Sequence, residues 1–338
     1  MKTPLLGKTN EELTGIVTEL GMPAFTGKQI CEWIYKKRMK SISEMTNISL
    51  KNRNLLEENF EVGRYEPVDF QASVDGTVKY LFKTAKGHLI ESVFIPEEDR
   101  STLCISSQVG CKMNCLFCMT GKQGFTTHLS VDEILNQFYS IPESEKLTNI
   151  VFMGMGEPLD NPDHVMKTLE VLTAEYGQAW SPKRITVSTI GVIPGMIRFL
   201  NESDCHLAVS MHSPFPDERL GLMPIQKAYP ITRVLEELKK YDFSKQRRVS
   251  FEYIMFDGLN DTTRHAVEMV KLLKEFDCRV NLIRFHAIPN VNLKSSEEKK
   301  MVAFRDYLTN NGITTTIRKS RGEDIFAACG MLSSSKRS

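Results

Sequence analysis

An α/β fold built on a parallel sheet is predicted for this chain, with a small helical domain ahead of it and a β-rich bridge between the two. Three observations predict it. Over residues 101–320, six apolar strand-like runs alternate with six helix-length patterns, the sign of repeated right-handed βαβ units. Before residue 67 the chain carries helix-capping signals. From 67 to 100 it carries turn signals between alternating residues.

Composition narrows the class. The 338 residues are 41% hydrophobic and 25% charged, as in a soluble globular protein. With 43 basic and 42 acidic residues the formal net charge is +1, so any nucleic-acid surface has to be a local patch. No run approaches the ~20 apolar residues of a membrane span. The opening Met-Lys-Thr-Pro-Leu-Leu-Gly-Lys lacks the apolar core of a signal peptide. Eight cysteines without such a signal point to a reducing, cytoplasmic setting and to chemistry, not to a disulfide framework. There is no internal repeat.

Residues 1–66 read as three helices. Thr9-x-x-Glu12 is a capping box for the first, which Gly21 stops. Thr26-x-x-Gln29 caps the second, which carries Ile30, Trp33 and Ile34. The third runs from Ser49 to about Phe60. Lys36-Lys37-Arg38-Met39-Lys40 is either a solvated helix end or a phosphate contact, and both readings stand. In the bridge, Asp75-Gly76 and Lys86-Gly87 are turns, and His88 to Ile95 is a strand in which Glu91 reads as a solvent-facing carboxylate.

In the core the strand candidates are Leu103–Ser106, Ile150–Met153, Arg184–Thr189, His206–Met211, Val249–Met255 and Arg279–Phe285. Helices are expected near 131–140, 163–175, 192–200, 230–240, 261–276 and 296–311, the first capped by Ser130-x-x-Glu133. Reactive groups should gather at the C-terminal ends of such strands.

The strongest chemical signal is the stretch from Cys104 to Gly121. Cys111, Cys115 and Cys118 make a C-x₃-C-x₂-C run. Three thiolates this close can wrap one soft-metal centre. A four-iron cluster wants four ligands, so three cysteines leave one iron open to a substrate. Phe117 would help keep water off, and Gly110 and Gly121 bracket the loop. Two readings compete. One is a zinc site with Cys104 as fourth ligand, although no second knuckle exists; the other is three buried free thiols. Gly154-Met155-Gly156-Glu157-Pro158 follows the second strand. Its glycines allow close backbone approach and Glu157 can accept from an ammonium group, or the segment is only a turn. Ser188 and Ser210-Met211-His212 end the third and fourth strands, where they can bond a ribose or carboxylate, or merely cap helices. Cys31, Cys205 and Cys278 read as structural thiols. In the tail, 321–338, the small residues Ala327, Ala328 and Gly330 would let a bulky partner approach Cys329, although from these residues alone a buried tail cysteine is the better reading. The last residues, 333–338, read as a frayed end.

C-x₃-C-x-aromatic-C resembles the radical SAM enzymes. Gln-Val-Gly before Cys111 and Gln123-Gly124-Phe125 after Cys118 make the chain similar to the RlmN/Cfr adenine methyltransferases over nearly its whole length. The resemblance implies a partial (β/α)₆ TIM-like radical SAM barrel over 101–320 and an RNA-binding accessory domain over 1–66. It implies one [4Fe–4S] cluster on Cys111, Cys115 and Cys118, with exchangeable S-adenosylmethionine (SAM) at the open iron. SAM would be held by Gly156, Glu157, Ser188, Ser210, Met211, His212 and His286, the last standing where the family pattern has asparagine. It implies a methyl-carrying Cys329, Cys104 as its partner in a transient disulfide, and Glu91, in Glu-Ser-Val-Phe-Ile-Pro, as proton acceptor. Two SAM molecules would serve each methylation. The substrates implied are 23S rRNA and the tRNA adenosine just after the anticodon, methylated at carbon 2. A flavodoxin or ferredoxin would donate electrons to a monomeric enzyme. Methylation at carbon 8, as in the Cfr branch, stays open. So do a radical SAM enzyme with a small-molecule substrate and a non-enzymatic iron–sulfur RNA-binding protein.

Overall fold

The computed structural model describes residues 2–244 and 247–333; the frayed end expected at 333–338 lies, apart from Ser333, outside them. The chain opens with a short strand, β1 (Thr3–Pro4), and helix α1 (Asn10–Glu19), where the Thr9–Glu12 capping box forms as expected. Helix α2 (Phe25–Cys31) begins one residue before Thr26, so Thr26 is a buried helical residue and not a cap, and the helix runs on as a π-turn over Glu32–Lys36. Gly27 explains the tight packing of α1 on α2, because a Cβ there would sit 2.6 Å from Thr14 Oγ1. Helix α3 (Leu50–Asn59) is capped by Ser49 and leads into β2 (Phe60–Glu61), which pairs with β1.

In the basic run Lys36, Lys37 and Lys40 are exposed, as a solvated helix end would be, and Arg38 is not. Arg38 turns inward, donating to Ser144 Oγ and lying over the rings of Phe138 and Tyr139. Lys40 pairs with Glu66 at 2.7 Å and Lys37 lies over Trp33. Of these residues, Arg38 is the one that helps dock the small domain on the barrel.

Strands β3 (Asp69–Ala72), β4 (Val78–Lys83) and β5 (Leu89–Pro96) form an antiparallel meander through the expected turns. They continue the main sheet, because β5 pairs with β6 (Ser101–Cys104). Next come the hairpin β7 (Gln108–Gly110) and β8 (Phe125–His128), with α4 (Met119–Lys122) between them. The sequence showed no sign of this hairpin. The barrel then alternates α5 (Val131–Tyr139), β9 (Asn149–Phe152), α6 (Pro162–Thr173), β10 (Ile185–Thr189), α7 (Ile193–Glu202) and β11 (His206–Ser210). After α8 (Pro216–Leu222) and α9 (Ile231–Leu238) follow β12 (Val249–Met255), α10 (Thr263–Leu273), β13 (Cys278–Arg284), α11 (Glu298–Asn310) and β14 (Thr314–Ile317).

The sheet order is β14-β13-β12-β11-β10-β9-β6-β5-β4-β3. From β6 to β14 every pairing is parallel and each new strand is added on the same side. One-way winding curls the sheet into an open, partial α/β barrel. Six of its strands match the six candidates. The seventh, β14, escaped because Thr-Thr-Thr-Ile offers a single strongly apolar side chain. Val249, Phe251 and Tyr253 of β12 are fully buried under the helices, which leaves Ser250, Glu252 and Ile254 on the inner face.

Candidate functional site

The cysteine loop hangs from the β7–β8 hairpin. Its start is pinned by Cys111 N–H donating to Gly124 O at 2.9 Å, and by Lys112 paired with Asp160 at 2.6 Å. Gly110 needs to be glycine: its φ is +73° and a Cβ would collide with the Gly124 carbonyl. Cys111, Cys115 and Cys118 line one wall of a first cavity enclosing about 810 Å³. Phe117 is buried behind them, edge-on to His212 at 4.7 Å and close to Phe256.

Among the described residues no three His, Cys, Asp or Glu side chains converge on a single metal-ion position. The zinc reading with Cys104 fails further, because Cys104 lines a different cavity from Cys111 and Cys115. A four-iron cluster asks for something else, thiolates spread over separate irons around a volume. The donor set fits it. Burial pushes the Cys111 thiol up to about 12 and Cys115 well above its ordinary value, and the neighbouring sulfurs push both further. Deprotonated together, these sulfurs would need a cationic centre among them.

The other wall is made by strand ends. Gly156, at φ +99°, lets the chain pass against Gln108, whose side chain a Cβ would overlap. Glu157 is buried and its carboxylate accepts from Thr189 Oγ1 at 2.6 Å, Ile190 N–H at 3.0 Å and Leu159 N–H at 3.1 Å. Burial pushes its carboxyl up to about 7, and these donors hold it back. Thr189 was missed as a site residue, though it stands next to Ser188. Ser188, Ser210 and His212 line the same cavity, whereas Met211 is fully buried outside the lining.

His212 adopts φ +56°, held by Ile254 N–H donating to Nδ1 at 3.0 Å and Asn260 Nδ2 donating to its carbonyl at 2.7 Å. An Nδ1 that accepts leaves the proton on Nε2, a donor available to the cavity. Burial, with a smaller push from Arg219, lowers the imidazole to about 3. An unfolded histidine titrates near ~6.5, so between those values the unfolded chain binds a proton the fold refuses, and this residue's contribution to stability falls as pH falls through 6.5. We expect the ¹⁵N shifts of His212 to report a neutral Nε2–H ring unchanged from pH 8 to pH 5. A midpoint near 6.5 would contradict this.

Arg219, on α8, is fully buried beneath these strand ends. It donates to the carbonyls of Ile190 at 2.8 Å, Ser210 at 3.1 Å and Met211 at 3.2 Å, and to Gln226 Oε1 at 2.7 Å. It ties the ends of β10 and β11 together. Nothing in the sequence singled it out.

A second cavity, enclosing about 1120 Å³, adjoins the first. Cys104 and Cys329 both line it, and Cys118 and Cys329 line both cavities. The fold thus brings together two cysteines from opposite ends of the barrel. Both thiols are free. Burial pushes Cys104 up to about 12, and the nearby Cys329 adds to the rise. Cys329 exposes its surface to the cavities; its thiol is raised by the enclosing protein, with Arg318 opposing. His286 faces this second cavity and not the first, with Nε2 at 3.1 Å from Ser320 Oγ and Nδ1 at 3.2 Å from Glu323. Arg100, Arg284, Arg318, Lys319 and Arg321 are among the second cavity's lining residues, as is Glu97; Arg100 pairs with Glu97 and Arg284 with Glu298.

The tail that carries Cys329 is clasped at both sides. Ser73 Oγ donates to Asp324 at 2.6 Å and Gly322 N–H to Asp75 at 3.1 Å. Beyond Cys329, Met119 N–H donates to Gly330 O at 2.7 Å and Thr120 Oγ1 to Leu332 O at 2.8 Å. Gly330 is required there, since at φ +82° a Cβ would lie 2.9 Å from Phe117 O. Glu91 is not the solvent-facing carboxylate its strand position suggested. It is buried, 3.1 Å from Lys79 Nζ, and accepts from Ser333 N–H at 2.8 Å. It lines neither cavity. The remaining cysteines, Cys31, Cys205 and Cys278, are buried, as structural thiols should be.

Comparison with known proteins agrees with this geometry. The radical SAM superfamily model matches residues 105–273, and a crystal structure of a radical SAM methyltransferase from Sphaerobacter thermophilus superposes with a TM-score of 0.93 at 36% identity, covering 98% of this chain and 100% of that one. Partial barrel and three-cysteine loop together make this a radical SAM enzyme. The model of the ribosomal RNA large subunit methyltransferase N-terminal domain matches residues 3–62. A probable dual-specificity RNA methyltransferase RlmN of Phocaeicola vulgatus is 64% identical over 99% of this chain and 96% of its own length. The dual-specificity RNA methyltransferase RlmN of Desulfotalea psychrophila is 40% identical over 98% of this chain and 95% of its own. The chain belongs to the RlmN family of radical SAM RNA methyltransferases. Among the described residues no helix is long and apolar enough to cross a membrane.

Proposed function

We propose that this enzyme methylates carbon 2 of an adenine in 23S rRNA and of the adenosine 3′ of the anticodon in tRNAs, through a methyl group carried on Cys329 and with two SAM molecules per methylation. The observation that supports this most is the position of Cys329, on the shared wall of two cavities. One is lined by the three-cysteine loop and the strand-end donors; the other is lined by Cys104 together with several basic side chains.

A [4Fe–4S] cluster held by Cys111, Cys115 and Cys118, with SAM at its remaining position, supplies the radical chemistry that an electron-poor ring carbon requires. The chain's own residues do the rest. The Gly154–Glu157 turn and the donors at Ser188, Ser210 and His212 orient SAM. The Cys329 thiol loses its proton and its sulfur takes the methyl from the sulfonium, which leaves as a neutral thioether. Once the carbon is bonded to adenine, the Cys104 thiolate can attack the Cys329 sulfur, a displacement that needs an accessible, deprotonated attacking sulfur. The disulfide forms as the sulfur–carbon bond breaks, the electron pair of that bond passes to the carbon, and the carbon takes up a proton to become the methyl group. Glu91 is assigned as acceptor of the ring proton in this reading; it lies outside the lining of both cavities, paired with Lys79, and its Ser333 N–H bond ties it to the tail that carries Cys329. The basic side chains lining the second cavity suit phosphates flanking an adenine presented from an RNA loop, the form in which RNA is read base by base. A flavodoxin or ferredoxin donor, a monomeric state and a cytoplasmic site belong to the same reading.

Mass spectrometry of rRNA and tRNA from cells with and without the gene tests it. Loss of 2-methyladenosine from both RNAs is expected. Loss of 8-methyladenosine, or no change, would overturn it.

A further inference from the structure

Glu252 lies on the inner face of β12 and lines the first cavity beside Ser188 and Ser210. It is only 3% exposed. Its two carboxylate oxygens are not equivalent. Oε1 accepts from Asn281 Nδ2 at 2.7 Å and from Ser250 Oγ at 3.0 Å. Oε2 is buried and has no hydrogen-bond partner. A buried acceptor left this way costs free energy, so an arrangement that leaves it unpaired calls for an explanation.

The arrangement is built across the sheet. In the parallel register Ser210 stands beside Glu252, Glu252 beside Asn281, and Asn281 beside Thr316. Register neighbours in a parallel sheet project from the same face. Thr316 Oγ1 donates to Asn281 Oδ1 at 2.8 Å, which fixes the amide so that its nitrogen faces Glu252. A ladder of three polar side chains thus holds one carboxylate oxygen and leaves the other for a donor that the protein does not supply. Isoleucines 254 and 283 flank the position, giving apolar walls next to a polar anchor. On the far side, the Glu252 charge is felt by Cys329.

We propose that Glu252 is a binding residue for the nucleoside part of SAM, accepting from its ribose hydroxyls through Oε2, with Asn281 as a positioning residue. This rests on the reading that SAM fills the first cavity. Two hydroxyls on adjacent carbons are the donors that a half-occupied carboxylate beside two serines can take without burying a new charge. Glu252 carried no motif signal, and Asn281 was passed over in favour of His286 five residues on.

The test is equilibrium binding to the reconstituted, cluster-loaded protein. Its probes are SAM, 5′-methylthioadenosine, which lacks the amino-acid end, and 2′,3′-dideoxy-5′-methylthioadenosine. Wild type should prefer the hydroxylated thioadenosine by about tenfold or more, as a hydrogen bond to a charged group implies. Glu252→Ala should lose that preference while binding the dideoxy probe as wild type does. Asn281→Ala, which frees Oε1 without removing the carboxylate, should reduce the preference and carries the test if Glu252→Ala does not fold. Retained preference in both variants, or no preference in wild type, as when an ordered water satisfies Oε2, would overturn the proposal. So would weaker SAM binding by Glu252→Ala with the thioadenosine preference intact, which would make the ammonium group the partner. Failure of wild type to bind SAM or thioadenosine at all would instead refute the reading of the cavity.

Discussion

Cys329→Ala is expected to abolish RNA methylation, lowering turnover by about 10⁴-fold or more, because removing a covalent carrier removes the route and not merely one contact. The alanine fits, since Ala327 and Ala328 beside it are already small and buried. Cluster absorbance and reductive SAM cleavage should persist, as Cys111, Cys115 and Cys118 are untouched. Cys104→Ala should fail later. With no second thiol to take the Cys329 sulfur, protein and RNA should stay covalently joined and run together on a denaturing gel. Labelled-methyl incorporation and that gel are the measurements. Full turnover by Cys329→Ala would sink the carrier scheme, and a clean release of product by Cys104→Ala would remove Cys104 from it.

The second large effect is on stability. Arg219→Met should destabilise the protein by about 3 kcal/mol, since it strands buried acceptors each worth ~1–3 kcal/mol when unpaired. Those acceptors are the carbonyls of Ile190 and Ser210; the Met211 carbonyl keeps Ser213 N–H and the Gln226 amide oxygen keeps Ile231 N–H. Removing a cation whose pKa burial lowers to about 10 gives some of that cost back, which keeps the expected loss near the lower end of the sum. Because Arg219 joins the ends of β10 and β11, SAM affinity should fall along with the melting temperature. Denaturant unfolding and SAM binding together check this. A variant as stable as wild type would show that the strand ends hold their positions without it.

Much of the barrel was legible because its signals are local. A buried parallel strand has to be apolar, and its helix has to start at a cap; the six strands and the Ser130–Glu133 box follow directly. Thr26 misled because its capping pattern lies inside a helix that Pro23 and Ala24 already start. Within the Lys36–Lys40 run the lysines are solvent-exposed as a helix end would be, but nothing local says that Arg38 will meet Phe138 and Tyr139 from another domain. Glu91 misled because strand alternation tells which face a residue occupies but not what covers that face. Here the cover is Lys79 and the returning tail.

The sequence by itself determined the chemistry: a three-cysteine loop, glycines where the backbone has to turn or come close, polar residues at strand ends, and the order of barrel elements. These depend on spacing within a few residues, which the chain carries wherever it goes. Only the tertiary structure decided that Cys329 meets Cys104, that His286 sits with the tail, that Arg219 braces the strand ends, and that Glu252 keeps an oxygen to spare. Each of these depends on residues that are distant in the chain or neighbours only across strands. Such contacts exist once the sheet has curled and the tail has been clasped to it, because only then are the separate polar groups forced to find, or to lack, partners.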